Sequence, residues 1–163
     1  MKITIANLKH SESLSEETNA YTATVLVDGV RAFDASNCGR GGMDLYHPIK
    51  GYTGPSESEI NDWLKANTPA IEFHDMKLDN TLEMVVGDLI EEKLRDSRLK
   101  RLLRTKILVI DDKDGEASLY TYKSKPTDQN LGAMRAAILG QKVSGRLVNG
   151  GGEDIMAEAR ELV

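Results

Sequence analysis

Two runs of β-forming residues flank the pair Asp28-Gly29, and this hairpin signal constrains the fold more than any other feature. The runs cover residues 21–27 and 30–35. An Asp-Gly pair between such runs is typical of a two-residue turn, because both turn positions need positive φ. The sequence therefore predicts an antiparallel hairpin over residues 21–35.

Further strands are indicated on both sides of this hairpin. Ile3 and Ile5 alternate with polar residues, which predicts a strand over residues 2–8. A second hairpin is expected from the apolar run at residues 107–110, a turn at 111–115 and a return strand at 118–123. A short strand around residues 71–73 and a last strand over 143–148 complete the set.

Helices are predicted from capping residues and apolar periodicity. Ser56 with Glu59 three residues later forms a capping box, so a helix should run from there to about residue 67. A second helix should start at Asp79 or Asn80 and continue to about residue 103, with a break near residues 96–97. A third helix is predicted over residues 128–139, after Thr127, and a fourth over residues 153–162, after the glycines at 150–152.

These elements together predict an α+β fold. We expect an antiparallel or mixed sheet built from two hairpins, with three to four helices packed mainly on one side. The 163 residues fit a single domain over 1–163, with any subdivision near residues 68–80. Charged residues make up 29% and apolar residues 40%, which is typical of a globular protein.

Composition also bounds the cellular setting. The single cysteine, Cys38, excludes an internal disulfide framework and fits a reducing compartment. The longest apolar run, residues 107–110, is far shorter than the roughly 18 residues of a membrane span. The net charge of −5 argues against broad nucleic-acid binding, which favours a basic surface. We therefore expect a cytoplasmic protein without membrane or nucleic-acid contacts.

Residues 36–55 hold the main candidate site. They contain five of the fourteen glycines and two of the four prolines, so a long irregular segment is expected, either functional or mobile and not part of the packed scaffold. The candidate ligand- or partner-binding residues are Gly39, Arg40, Gly41, Gly42, Asp44, Tyr46 and His47. Glycines free backbone N–H groups for an anion, Arg40 adds a charge-assisted contact, and Tyr46 could stack on a base. The plainer interpretation, a long connection between strands that needs positive φ at several positions, is favoured.

Other patterns carry weaker functional signals. The glycines at 150–152 precede Glu153 and Asp154, whose charges would repel an anion at the start of a helix. Residues 111–115 do not fit a calcium loop, and His10, His47 and His74 lack metal-binding spacing. No metal or cofactor is expected, and no catalytic residue is identified. A Cys38 nucleophile with His47 as base is conceivable, although an ordinary cysteine is favoured.

The only dense basic stretch lies in the second predicted helix. Its seven cationic residues are Lys93, Arg95, Arg98, Lys100, Arg101, Arg104 and Lys106. We expect these positions to spread around the helix axis and to complement the negative end of its dipole. Binding of an acidic partner, a phosphate-rich ligand or nucleic acid through residues 93–106 is the minority interpretation.

The hairpin and the glycine-rich segment after it carry a resemblance. Residues 21–30, Asn37-Cys-Gly-Arg-Gly-Gly and Tyr46-His-Pro resemble small uncharacterised proteins encoded by bacteriophages and prophages. The resemblance covers about the first third of the chain and brings no catalytic residues with it. It implies a small accessory protein that acts inside a bacterial host cell by disabling a host factor or a nucleotide messenger.

The leading hypothesis is therefore a non-enzymatic, phage-type protein that binds and inhibits a bacterial host protein, an immune-defence component. The alternative is a nucleotide-binding sponge or a small phosphate-handling enzyme that uses the loop at residues 39–47. Homo-oligomerisation is compatible with either.

Overall fold

Hairpins and capped helices follow one another along the chain. A computed structural model describes residues 1–73, 76–112 and 115–163, and these ranges contain four α helices and several antiparallel sheets. The predicted α+β class is confirmed. The chain divides into two compact units, Met1–Glu91 and Glu92–Val163. The prediction of one domain over residues 1–163 stays a prediction.

Four antiparallel strands form the sheet of the first unit, in the order β1-β2-β3-β4. Their bounds are β1 Ile3–His10, β2 Ala20–Val27, β3 Val30–Cys38 and β4 Leu45–Pro48. The turn between β2 and β3 has a φ of 49° at Asp28 and 83° at Gly29. Asp and Gly tolerate these positive angles, and the predicted hairpin is confirmed.

The segment of residues 36–55 is more regular than its composition predicts. β3 continues to Cys38, and β4 pairs with it through Ala35 opposite Tyr46 and Ser36 opposite Leu45. The expectation of one long irregular segment is therefore wrong for residues 36–38 and 45–48. Strand formation depends on the neighbouring strand as much as on local residue types, so composition alone does not reveal this pairing.

A bulge at Asn7 determines which side chains of β1 face the core. The pairing of β1 with β2 shifts by one residue before Lys9, and Asn7 has a φ of 54°. One extra residue in a strand reverses the alternation of side chains beyond it. His10 therefore lies opposite the buried Tyr21, whereas Lys9 lies opposite the exposed Thr22.

Two helices contribute to the core of the first unit. α1 spans Glu57–Asn67 and begins with the predicted capping box, in which Ser56 and Glu59 each accept the other's backbone N–H. α2 spans Leu82–Thr105 without the break predicted near residues 96–97. The buried side chains of these helices within the unit are Ile60, Leu64, Leu82, Val86 and Ile90.

The start of α2 also differs from the prediction. Thr81 caps the helix, because its Oγ1 accepts the N–H of Met84 at 3.3 Å. The predicted caps are wrong: Asp79 forms an ion pair with Lys65, and Asn80 donates its amide to the residues after α1. A separate two-stranded antiparallel sheet precedes the cap, made of β5 Ile71–Phe73 and β6 Met76–Leu78.

Three antiparallel strands form the sheet of the second unit, in the order β8-β7-β9. Their bounds are β7 Ile107–Asp111, β8 Ser118–Tyr122 and β9 Arg146–Leu147. The two predicted hairpins thus lie in separate sheets. The strand predicted over residues 143–148 is confirmed only for β9, because Gly145 has a φ of 109° that an extended strand does not allow. Residues 113 and 114 of the predicted turn lie outside the described residues.

Helices complete the second unit around a small apolar core. α3 spans Asp128–Leu139 and is capped by Thr127 as predicted, and α4 spans Glu153–Glu161. The core cluster consists of Leu99, Leu108, Ile110, Val148 and Ala159. Among the described residues, no helix is both long enough and apolar enough to cross a membrane.

Candidate functional site

A pocket of about 470 Å³ lies where β1 and β3 end and β2 begins. We call it the strand-end pocket. Its lining includes Lys9, His10, Leu14, Glu16, Ala20, Tyr21, Asn37, Cys38 and Arg40. The volume falls within the range of small-molecule sites, roughly 300–1,000 Å³. Of the residues predicted as a site, Arg40 lies here.

The strand-end pocket combines positive charge with an apolar wall. Lys9, His10 and Arg40 line it together, against one carboxylate, Glu16. Lys9 and Arg40 are exposed, and neither forms an ion pair with any other described residue. Unpaired cations beside an apolar wall suit a ligand that has an anionic end and a less polar body.

The backbone of Gly39 determines how closely the loop at residues 11–19 approaches the pocket. Its carbonyl oxygen accepts the N–H groups of Glu16, Glu17 and Thr18 at 2.9, 3.0 and 3.4 Å. Its φ is 84°, and a Cβ at this position would lie 2.2 Å from the carbonyl oxygen of Leu14. A residue without a side chain is therefore required for the loop at residues 11–19 to approach β3 and form a pocket wall.

The neighbouring glycines do not offer the open amide cradle that the sequence suggests. Gly39 N–H donates to Asn37 Oδ1 at 2.8 Å, and Gly41 N–H donates to Thr18 Oγ1 at 3.3 Å. The carbonyl oxygen of Gly42 accepts from Asn37 Nδ2 at 2.8 Å. These bonds hold the loop in place, so anion binding at the pocket falls to side chains, Arg40 first among them.

His10 is held in one ring orientation by its neighbours. Its Nε2 lies 3.2 Å from both Asn19 Oδ1 and Ser15 Oγ. The Ser15 hydroxyl already donates to the carbonyl oxygen of Ser11, so toward the imidazole it acts as an acceptor. Nε2 therefore carries the proton, and in the neutral ring Nδ1 is left as the basic nitrogen.

Asp44 anchors the far end of the glycine-rich loop rather than lining the strand-end pocket. Its carboxylate accepts from the hydroxyl of Tyr21, from the hydroxyl of Tyr46 at 3.0 Å and from Asn37 Nδ2 at 2.9 Å. Its own N–H donates to Glu83 Oε1 at 3.1 Å. A carboxylate with three donors in place is a structural tie between the loop, the sheet and the start of α2.

Both tyrosines of this network stay protonated. Burial raises the pKa of Tyr21 well above its usual range, and the hydrogen bond to Asp44 raises it further. The pKa of Tyr46 is raised by burial and then by its neighbours Tyr21 and Asp44. The ring of Tyr46 is half-buried and packs edge-on against Phe33 at 6.3 Å. This packing argues against the stacking role considered for Tyr46.

His47 lies apart from the strand-end pocket. It pairs with Asp34 in the β3–β4 ladder, whereas Cys38 is four residues further along β3 and pairs with Ala20. Four residues of strand span about 13 Å, so this geometry does not support His47 as a base for Cys38. His74 lies outside the described residues. Among the described residues, no cluster of three His, Cys, Asp or Glu side chains could hold a metal ion.

The second glycine-rich loop is structural. The buried Asn149 accepts Leu108 N–H at 2.7 Å through Oδ1 and donates Nδ2 to the carbonyl oxygens of Leu103 and Lys106. Those carbonyls lie at the end of α2, where helix acceptors lack partners of their own. Asn149 therefore links the end of α2 to β7, which is a structural role.

The pocket depends on two residues that the sequence argument missed, Lys9 and His10. The predicted strand ends at residue 8 and so excludes both residues, whereas β1 continues to His10. Nothing in the composition indicates the bulge at Asn7. The pairing of β1 with β2 would have identified them, because it places the end of β1 beside the start of β2.

No family model, curated protein or solved structure matches the chain. The resemblance to phage-encoded proteins therefore stays a prediction.

Proposed function

We propose that the protein binds a small phosphorylated molecule of nucleotide size in the strand-end pocket and thereby sequesters it. One observation carries this proposal: Lys9, His10 and Arg40 meet at one pocket of about 470 Å³. The first two come from β1 and the third from the glycine-rich loop. Three basic groups from two separate segments favour an anionic ligand.

The lining residues suggest how such a ligand would be held. The planar guanidinium of Arg40 suits bidentate binding of a phosphate, and Lys9 adds a second positive charge. Leu14, Ala20 and Tyr21 give an apolar wall for a base or another flat group. The phosphate would thus lie toward Arg40 and Lys9, with the less polar part against that wall.

The test is calorimetric titration with ADP, with adenosine as the uncharged comparison. A charge-assisted hydrogen bond contributes about 1.5–3 kcal/mol, so Arg40→Ala should weaken ADP binding by about tenfold or more. Arg31→Ala is the matched control, because Arg31 is an exposed arginine of β3, in the same unit as Arg40, that does not line the pocket. Adenosine should bind far more weakly than ADP.

Two results would contradict the proposal. One is ADP affinity that is equal in the wild type, Arg40→Ala and Arg31→Ala. The other is phosphorus NMR that shows ADP consumed on incubation, which would replace sequestration with the phosphate-handling enzyme. Recovery of intact ADP after heat denaturation of the complex is the expected outcome.

A second candidate, the inhibitor of a host protein, has an observation of its own. Leu45 is 57% exposed and begins β4, an edge strand of the four-stranded sheet, and Met43, two residues before this strand, is 82% exposed. Exposed apolar side chains on an unpaired edge favour addition of a partner's strand. The phage-type resemblance implies that this partner is an immune-defence component of a bacterial host.

This candidate is tested by co-purification from bacterial lysate with stoichiometric recovery. Leu45→Asp should abolish capture of the partner, because it would replace an apolar side chain with a charge on the sheet face that the side chains of the added strand would share. Leu139→Asp is the control, since Leu139 is also an exposed leucine, 85% exposed, but lies in the second unit. Loss of the partner with both variants, or with neither, would reject β4 as the binding edge.

A further inference from the structure

The basic residues in the C-terminal half of α2 fall into two sets. Arg95 pairs with Glu161 at 2.6 Å, and Arg98 donates to the carbonyl oxygen of Val163 at 3.1 Å. The second set is exposed and forms no ion pair within the described part of the chain. It consists of Lys93, Lys100, Arg101 and Arg104.

The second set shares one face of the helix with Ser97. Relative to Lys93, the other positions are i+4, i+7, i+8 and i+11, which lie within an arc of about 100° at 3.6 residues per turn. We call this face the basic stripe, made of Lys93, Ser97, Lys100, Arg101 and Arg104. Arg95 and Arg98 lie outside this arc, so the basic positions as a set do spread around the axis, while these four cations share one face.

The rest of the second unit holds the basic stripe on a fixed support. Leu99 lies on another side of the same helix, is 2% exposed, and belongs to the core cluster with Leu108 and Ile110. Asp96 is engaged by Arg160, so it does not neutralise the stripe. The four cations therefore project from a helix that is anchored by core packing and by ion pairs.

Charge is distributed very unevenly along the chain. Residues 92–163 contain 14 Lys and Arg against 11 Asp and Glu, a net charge of +3. Residues 1–91 contain 7 against 15, a net charge of −8. The overall charge of −5 thus conceals a basic unit, so the net charge of the whole chain does not exclude nucleic-acid binding by residues 92–163.

We propose that the basic stripe binds the phosphate backbone of nucleic acid without reading its sequence. Its cations extend over about 16 Å of helix, a length along which duplex DNA presents several phosphates. The stripe contains no aromatic or large apolar side chain, which a protein partner would need as an anchor. Long, unpaired cations without such anchors suit binding driven by counterion release.

The test is fluorescence anisotropy with a labelled 20-base-pair DNA duplex between 50 and 200 mM salt. Four phosphate contacts predict a slope of log affinity against log salt of about −3.6. The double variant Lys100→Gln/Arg104→Gln removes two of these contacts, so the magnitude of the slope should fall by about 2. The matched control is Lys123→Gln/Lys125→Gln, which removes the same charge from exposed positions of the same unit outside the stripe. It should leave the slope unchanged.

Three outcomes would overturn the proposal: no binding at 50 mM salt, an equal loss of slope in the control, or equally tight binding of polyglutamate. The last would assign the stripe to an acidic protein. If circular dichroism shows that the double variant has lost helix, Lys93→Gln/Arg101→Gln replaces it with the same expected change. Arg40→Ala should leave DNA affinity within twofold of wild type, which separates this site from the strand-end pocket.

Discussion

The two units of this chain organise their surfaces by different physical means. In residues 1–91, backbone conformations and hydrogen bonds shape the strand-end pocket. Gly39 holds the loop at residues 11–19, and Asp44 holds the glycine-rich loop through hydrogen bonds. In residues 92–163, ion pairs and a small apolar core support an exposed helix face. A pocket depends on backbone geometry that few residue types allow, whereas a charged face depends only on which side chains point outward.

The difference has a consequence for mutational tolerance. A single added Cβ can close a pocket that a carbonyl oxygen approaches closely, so the first unit should be sensitive to small changes at its glycines. A charged helix face tolerates replacement of each side chain and loses function in increments. The largest effects are therefore expected in the first unit.

Gly39→Ala should give the largest effect. The new Cβ would meet the carbonyl oxygen of Leu14 at 2.2 Å, at a φ of 84°, so we expect a loss of about 3 kcal/mol in unfolding free energy. Gly42→Ala is the control, since nothing lies within 4 Å of its added Cβ and its φ is not positive. Urea denaturation followed by the fluorescence of Trp63, in α1, reports on this unit. Similar midpoints for the two variants would contradict the role assigned to Gly39.

Asp44→Ala should cost about 2–3 kcal/mol. It leaves the hydroxyls of Tyr21 and Tyr46 without their acceptor, and an unsatisfied buried polar group costs about 1–3 kcal/mol. Asp34→Ala, an exposed carboxylate on β3, should change stability by less than about 0.5 kcal/mol. The same Trp63 measurement applies. A loss as small as that of Asp34→Ala would show that the network does not anchor the loop.

Helix caps allow a direct comparison of the two units. Ser56→Ala removes a capping box from α1 and should cost about 1–2 kcal/mol, whereas Thr127→Ala removes a simple cap from α3 and should cost about 1 kcal/mol. Amide hydrogen exchange in β2 and β7 distinguishes the units. Each substitution should accelerate exchange in its own unit, and a uniform effect across both would show that they unfold as one.

The smallest effect concerns acid stability in the second unit. The hydrogen bond from Arg146 lowers the pKa of Glu158 below its ordinary value of 4.5. The stabilisation from this pair is thus fully present above pH 4.5 and is lost as the pH falls through the lowered pKa. Arg146→Gln should remove this part of the pH dependence, while Lys142→Gln should retain it. The protection of β7 amides against hydrogen exchange, compared between pH 3 and pH 6 for each variant, measures this difference.

The fold was largely predictable because its strongest signals are local. The Asp28-Gly29 turn, the capping box at Ser56 and the cap at Thr127 each depend on residues within a few positions of one another. The pocket was not predictable in the same way. It requires the bulge at Asn7 and the approach of residues 11–19 to Gly39, and these contacts join residues about twenty or more positions apart.

The basic stripe was also only partly predictable from the sequence. Its four cations were visible in the sequence, but their separation from Arg95 and Arg98 depends on contacts with α4 and the C-terminal residue. Periodicity alone could have placed Lys93, Lys100 and Arg104 on one face. It could not have shown which cations are already paired.

A single NMR experiment would test whether the two units bind separate ligands. Backbone amide spectra of the 163-residue chain would be recorded with increasing ADP and, in a second sample, with increasing DNA duplex. We predict that ADP shifts the signals of residues 9–22 and 37–41, and that DNA shifts those of residues 93–104. Shifts by both ligands in one common set of residues, or none with ADP at millimolar concentration, would contradict the assignment of the pocket and the stripe.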